Sequence, residues 1–440
     1  MVMPLDFIMA PVQAFLLAIA FYYLIVSFFG FYRVKDKTVF PPQKRFAVIV
    51  AAHNEERVIA SLIENLRMLN YPDSLYDIHV VADNCDDMTA QIARQHNAIV
   101  HERRHDREKG KGYALEWMFA RLFAAGKHYD AVAVFDADNL VHPMFLQEMN
   151  NCLCKGKKVI QGYLDCKNPN DTWVSATFSI GFWVVDHAWH LAKHNLGLSS
   201  VLGGTGMCIS TDVLREHGWG ATCLTEDMEF TMKALLKGVP TYWAHDAIVY
   251  DEKPLTFKQS WHQRKRWAQG HFDVAARYVP RLFANGLKQR NIHMFDGIIH
   301  LLQPYFLLIS TAFFLCNILN DSYPLYTNVF RKYLPLELWV FICLWQYILP
   351  LLVLFKVRAS LKTFGYFILY PVFIYSWVPI TILGFIDRNK REWSHTIHTR
   401  NISYQEMAAA EKFGGCQAGV SDICSGKPRS SGSYHIYNEA

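Results

Sequence analysis

The chain has ten cysteines but no C-x-x-C pair, no G-x-G-x-x-G after its first apolar strand and no G-x-x-x-x-G-K-[ST]. The first absence excludes a zinc ribbon or a dithiol redox centre. The other two argue against a dinucleotide-binding fold and a P-loop. The stretch "KGKGYAL" (109–115) lacks the P-loop spacing, although Lys109 and Lys111 beside two glycines can approach an anion closely. Cys152 and Cys154 stand too close for normal ligand spacing, and Cys85, Cys208 and Cys223 read as small buried residues in a reducing compartment. H-E-x-x-H is also missing, so His190 and His194 of "WHLAKH" read as a polar helix face and His395 and His398 as loop residues. There is no short internal repeat, and the polar stretch after about 412 reads as a tail without a core.

Charge is scarce in four places: 7–29, 298–319, 338–355 and 364–386. Each is about 18–25 residues long, enough to cross ~30 Å of hydrocarbon as a helix. These runs account for much of the 52% hydrophobic and 15% aromatic composition, while most of the charge falls in 45–290. An integral membrane protein follows. The first run lacks a basic n-region and an A-x-A-like site, so it reads as an uncleaved anchor. Lys35, Lys37, Lys44 and Arg45 follow it, which predicts a cytoplasmic hydrophilic region in a multi-pass protein of the plasma membrane. The net charge of +5 clusters beside the apolar runs, which suits a lipid surface or an anionic substrate and no nucleic acid.

Between the first two runs, strand and helix patterns alternate. "RFAVIVAAHNEE" (45–56), "DIHVVADNCDD" (77–87) and "AVAVFDADN" (131–139) are apolar strands ending in polar clusters. This predicts an α/β domain with a mostly parallel sheet flanked by helices, with ligands beyond the carboxyl ends of the strands. "FDAD" (135–138) sets two carboxylates at i and i+2, which suits a hard cation such as Mg²⁺ or Mn²⁺ bridging a diphosphate. "LTEDMEF" (224–230) places Glu226 and Asp227 at a helix start, where such residues ordinarily cap. Glycine-rich "GGTGM" (203–207) and cationic "HQRKRW" (262–267) flank them, which raises a general base as the alternative. On a helix Gln263 and Trp267 share a face with Arg266 beside it, while Arg264 diverges. Such a face can grip a diphosphate through guanidinium and stack a sugar on indole. The outer face of the same helix reads as a basic surface on lipid headgroups.

The ordered set "AAHNEE", "DNCDDMT", "GKGYAL", "DAD", "GGTG", "TED" and "QRKRW", followed by apolar helices, resembles the processive family-2 glycosyltransferases over about residues 45–400. Cellulose, hyaluronan and poly-N-acetylglucosamine synthases belong to that group. The resemblance implies a GT-A domain, an inverting transfer from a UDP-sugar and a divalent metal. It implies that Asn54, Glu55, Asp83, Lys111, Asp136, Gln263 and Arg266 bind the sugar-nucleotide and that Asp138 binds the metal. Asp227 would be the base, and Gly204, Thr205, Glu226 and Trp267 would meet the acceptor. "WSHTIHTR" (393–400) is similar to the family's gating segment, which implies that Trp393, Thr396, Thr399 and Arg400 cover the nucleotide.

The expected organisation is an anchor (1–33), a cytoplasmic GT-A domain (34–255) and amphipathic interface helices (256–292). Transmembrane or re-entrant helices (293–387), the gating segment (388–411) and the tail (412–440) complete it. Three full crossings after the domain would strand the gating segment outside. Pro371 and Pro379 therefore make 364–386 the candidate for a broken, re-entrant stretch. The expected activity is polymerisation and export of a β-linked glycan, leaning to UDP-glucose and a β-glucan, possibly of mixed linkage. A UDP-N-acetylglucosamine polymer synthase and a non-processive transferase to lipid are the alternatives. The partners are the UDP-sugar, the growing glycan and the bilayer; oligomeric state stays open.

Overall fold

The computed structural model describes residues 5–34, 38–390 and 400–414. Helix α1 (Asp6–Phe28) opens the chain. Strands β1 (Phe46–Ala52), β2 (Tyr76–Asp83), β3 (Ile99–Arg103) and β4 (Ala131–Asp136) then alternate with α2 (Ile59–Arg67), α3 (Thr89–Gln95) and α4 (Lys111–Ala124). These strands pair in parallel in the order β3-β2-β1-β4. β1 and β4 are continuous apolar runs because helices cover both faces of the sheet. One layer packs around Leu62, Phe135 and Phe145, the other around Leu115, Met118 and Phe230. Parallel pairing brings the loops after β1, β2 and β4 to one edge.

The chain continues through β5 (Leu140–Val141), α5 (Phe145–Cys154), β6 (Val159–Cys166) and α6 (Trp173–Val185). A π-helical turn (Asp186–Leu191) carries α6 into α7 (Ala192–Asn195), followed by β7 (Met207–Ser210), α8 (Thr211–His217), α9 (Glu226–Leu236) and β8 (Thr241–Asp251). After this excursion the chain re-enters the sheet in the opposite direction. β7 is antiparallel to β4 and β6, while β8 is parallel to β6 and antiparallel to β5. The eight-stranded sheet is therefore mixed, in the order β3-β2-β1-β4-β7-β6-β8-β5.

Next come α10 (Phe257–Gln289), α11 (Ile292–Leu301), α12 (Gln303–Ser322), α13 (Val329–Tyr333) and α14 (Leu336–Lys356). The last apolar stretch is broken into α15 (Leu361–Tyr366), a 3-10 turn, α16 (Tyr370–Tyr375) and α17 (Trp377–Ile386). Helix α18 (Tyr404–Gly414) packs Met407 on Leu140 and Tyr250.

Among the described residues, Asp6–Phe28, Gln303–Ser322 and Leu361–Ile386 are long and apolar enough to cross a membrane, and α14 carries a shorter apolar run. Their end contacts separate them. Leu5 N–H donates to Leu325 O at 3.2 Å and Val329 N–H to Gln13 Oε1 at 2.6 Å, so the start of α1 meets the loop between α12 and α14. At the other end of α1, Arg33 pairs with Asp246 and Gly30 O accepts from Lys356 Nζ at 2.6 Å. These three helices thus run between two levels. The broken stretch begins and ends on the α/β side: Ser360 Oγ donates to Asn170 Oδ1 at 2.6 Å, and Asp387 pairs with Lys265. Arg264, fully buried, donates to Phe373 O at 3.2 Å and Ser376 Oγ at 2.8 Å, partnering groups left at the break between α16 and α17.

Candidate active site

The strand-end loops, α9 and α10 enclose a cavity of about 1330 Å³. A pocket for one small molecule ordinarily measures ~300–1,000 Å³, so this cavity is larger than a single ligand needs.

His53, Glu55 and Asp83 line one end. Asp83 is buried, accepts from Arg103 Nη1 at 2.7 Å, and its carbonyl accepts from His53 Nδ1 at 2.7 Å. Arg103, equally buried, had no sequence signal, being one cation in a run of several. Asn54, expected in the wall, is not part of it. Its backbone takes φ +55° and its Oδ1 accepts Asp86 N–H at 2.9 Å, so it closes the turn behind the wall.

Lys111 opens α4, directly after Gly110 at φ +110°. It pairs with Asp136 and donates to Gly204 O at 2.8 Å. Burial opposes the lysine's charge, but Asp136 and Glu226 outweigh it and hold its pKa above the ordinary range. Asp136 N–H donates to Thr205 Oγ1 at 3.1 Å, and the threonine hydroxyl bonds Asn139. Gly204 and Thr205, expected at the acceptor, do line the cavity, but their polar atoms brace Lys111 and Asp136. A Cβ on Gly204, whose φ is +84°, would lie 3.3 Å from Asp227 Oδ2.

Asp138 is 5% exposed, and its Oδ2 accepts Glu252 N–H at 3.1 Å. Asp136, Asp138, Asp251 and Glu252 share this wall and offer only oxygen. Among the described residues no three His, Cys, Asp or Glu converge on one point. This donor set fits a hard cation held by one or two carboxylates and completed by phosphate oxygens; it does not form an all-protein cage. Arg400 reaches the same wall: it pairs with Asp171, donates N–H to Glu252 Oε2 at 3.1 Å and accepts from Lys167 Nζ at 3.4 Å. Lys167 also donates to Asp138 O at 2.6 Å. Trp393, Thr396 and Thr399, with His395 and His398, lie outside the described residues.

Glu226 and Asp227 begin α9, whose preceding Thr225 makes no side-chain cap. Asp227 Oδ1 takes its own neighbour's N–H, from Met228, at 2.8 Å. Burial, then the charge of Asp227, pushes Glu226 up to about 7. Burial also raises Asp227, against the pull of Met228 N–H, Lys111 and Arg266. Glu229 is turned away, paired with Arg277. α10 meets this loop closely because Gly270 has no side chain: a Cβ there would lie 2.5 Å from Thr225 Oγ1. Gln263, Arg266 and Trp267 therefore face the carboxylates across the cavity, while Arg264 points to the broken stretch. Trp267 stands against Phe178 and Phe182, with ring centroids 5.9 and 6.3 Å away.

Beyond Trp267 the cavity continues to residues that no motif marked. Phe182, Val185, Asp186, Trp189 and His190 line it together with His271, His300 and Gln303, and the rings of Trp189 and His300 lie 6.2 Å apart. His190 stacks on Trp243 at 4.6 Å, so it belongs to the wall and not to a solvated polar face; His194 instead meets Tyr242 at 5.0 Å.

The family described as glycosyltransferase-like family 2 matches residues 41–270. The chain is 26% identical to a probable glycosyltransferase, YdaM, of Bacillus subtilis (strain 168) over 360 residues, 77% of this chain and 81% of the other. It is 27% identical to a beta-monoglucosyldiacylglycerol synthase of Trichormus variabilis, covering 59% of this chain and 56% of that one. It is also 25% identical to a probable glucomannan 4-beta-mannosyltransferase of Oryza sativa, covering 62% and 52%. The chain thus spans about half the length of the latter two. A solved mannosyltransferase, PcManGT from Pyrobaculum calidifontis in complex with GDP-Man and Mn²⁺, shares the fold with a TM-score of 0.55 at 15% identity, over 87% of this chain and 100% of that one.

Proposed function

This chain belongs to glycosyltransferase-like family 2, and from that membership we propose that it transfers a hexosyl group, with inversion, from a UDP-sugar to a hydroxyl of a growing β-linked glycan. One observation carries this reading. A single cavity joins the Asp83 end, the Lys111–Asp136 pair, buried Asp227 and the Gln263–Arg266–Trp267 face. The nucleotide lies toward Asp83 and Glu55, with the diphosphate between Lys111 and Arg266. The acceptor sugar lies on Trp267. Its hydroxyl oxygen bonds the anomeric carbon, its proton passes to Asp227, and the bond from that carbon to the diphosphate breaks. Burial makes Asp227 a stronger base than an ordinary carboxylate. Lys111 and Arg266 meet the charge that develops on the departing diphosphate, ordinarily the largest contribution to rate. Mg²⁺ or Mn²⁺ held by Asp138 and Asp136 would supply further positive charge there.

UDP-glucose is the proposed donor and a β-glucan the product, a choice to which a glucosyl-transferring relative lends support. The cavity runs on past Trp267 to Leu307 and Thr381, among the apolar helices, which is the direction export would take. A second reading, transfer to a lipid acceptor, is favoured by that same relative's name and by only three membrane-length apolar stretches among the described residues. The deciding experiment offers radiolabelled UDP-glucose or UDP-N-acetylglucosamine, with Mg²⁺ or Mn²⁺, to purified protein in lipid vesicles. Long product from UDP-glucose that a β-glucanase cuts supports the first reading. Organic-soluble product carrying one sugar supports the second, and long product only from the amino sugar changes the donor.

A further inference from the structure

The loop from Leu202 to Gly206 touches both halves of the reacting site. Lys111 Nζ donates to its Gly204 O at 2.8 Å, and Asp136 N–H to its Thr205 Oγ1 at 3.1 Å. Gly204 also lies against Asp227, whose Oδ2 would stand 3.3 Å from a Cβ there. Yet the loop has little of its own with which to hold this place. Gly203, Gly204 and Gly206 bring no side chain, and glycine loses more conformational freedom than any other residue when it is fixed. What holds the loop has to come from its neighbours.

Two buried side chains supply it. Gln161 stands inside β6, opposite Met207 of β7 and Trp243 of β8, among the buried apolar Ile160, Tyr163 and Leu164. It is 0% exposed, and its amide spans the loop. Gly203 N–H donates to Oε1 at 2.8 Å, and Nε2 donates to Thr205 O at 2.9 Å. Thr231, in the second turn of α9 and equally buried, holds the start of the loop. Its Oγ1 accepts Leu202 N–H at 3.0 Å and donates to Asp227 O at 2.8 Å. Hydrogen bonds thus run from β6 through the loop to Lys111 and Asp136, and from the loop through Thr231 to Asp227. Neither Gln161 nor Thr231 lines the cavity, so substrate contact does not account for them. An apolar side chain would fill either place, but it would leave Leu202 N–H, Gly203 N–H or Thr205 O without this partner. A loop held from a strand and a helix keeps its groups to the tolerance that a reacting site needs.

We propose that Gln161 and Thr231 are positioning residues for the transfer. Acting through the Leu202–Gly206 loop, they fix Lys111 and Asp136 relative to Asp227. The proposal rests on the glycosyltransferase reading above and adds to it two residues that no motif marked.

The test measures kcat with the donor sugar that wild type uses, UDP affinity by calorimetry, and thermal unfolding, all on full-length protein in lipid. Gln161→Met removes the amide and nearly keeps the volume. Its kcat should fall about 10²-fold, the usual cost of displacing reacting groups by about 1 Å. Thr231→Val should lower kcat about tenfold, and Thr231→Ser, which keeps the hydroxyl, should restore it to within about threefold of wild type. UDP affinity should change by less than about threefold throughout, because a loss confined to kcat marks contacts that matter in the transition state. In the double variant the two losses should fall short of their product, since both residues act through one loop. A lower unfolding temperature with kcat of the folded enzyme unchanged means a merely structural role and overturns the proposal. So do losses that multiply in full, or a Thr231→Ser variant as impaired as Thr231→Val. Should Gln161→Met fail to fold, the valine and serine variants at 231 decide between these outcomes. Wild type that binds UDP yet transfers sugar to no acceptor overturns the glycosyltransferase reading itself.

Discussion

Asp227 carries the sharpest consequence at the scale of one residue. Asp227→Asn keeps its shape and its bond from Met228 N–H but cannot take a proton. Transfer should fall by about 10²–10⁴ in kcat, the usual contribution of a general base, while UDP affinity by calorimetry stays within about twofold. The paired carboxylates also set a pH dependence. Both are raised, Glu226 to about 7, and a carboxylate is a base only above its pKa. Activity should therefore rise with pH along an acid limb that lies above the range of free carboxylates, reported as the pair's joint titration. A kcat/KM profile whose acid limb sits near 4, where free carboxylates titrate, would contradict this. The place of Asp227 in the cavity wall was legible in sequence because its neighbours form a motif. Asn54 was also legible, yet it serves the turn: proximity along the chain did not tell wall from backing.

Among elements, the joint between α1, α7 and α11 rests on one buried ion pair. Lys193 and Asp296 are 0% and 3% exposed and 2.8 Å apart, and Tyr22 of α1 also donates to Asp296. Lys193→Met leaves Asp296 charged and buried without its partner, which should cost about 3–5 kcal/mol. The double change Lys193→Met with Asp296→Leu should recover most of that loss. Thermal unfolding in lipid or detergent measures both, and equal destabilisation by single and double variants would deny the pair its role. Strands β1, β2 and β4 could be read from apolar runs because both their faces are covered. The two-residue β5 and four-residue β7 are too short to carry a period, which is why the mixed half of the sheet was not foreseen.

For the whole molecule, the contacts at the helix ends predict a sidedness that labelling can test. Arg358 and Arg388 flank the broken stretch on the α/β side, while exposed Tyr323 lies at the far ends of α1 and α12. With Cys316 and Cys343 changed to Ser, cysteines at 358 and 388 should react with an impermeant reagent from the same side of a sealed vesicle. A cysteine at 323 should react only from the other. Labelling of 358 and 388 from opposite sides would make 361–386 a true crossing.

Local pattern was enough for the family, the parallel half of the sheet, the apolar stretches and most of the cavity wall around Glu55 and Asp83. Burial period and strand-end clusters are properties of contiguous residues. Assembly decided the rest. Helix geometry already set Arg266 beside Gln263 and Trp267 and Arg264 apart, but which way that face looks depends on where α10 lies against the Thr225 loop and the broken stretch. The chamber behind Trp267 draws on α6, the π-helical turn, α10, α11 and α12, residues more than a hundred positions apart. Each looks like an ordinary aromatic, histidine or aspartate until the fold brings it to the wall of one cavity.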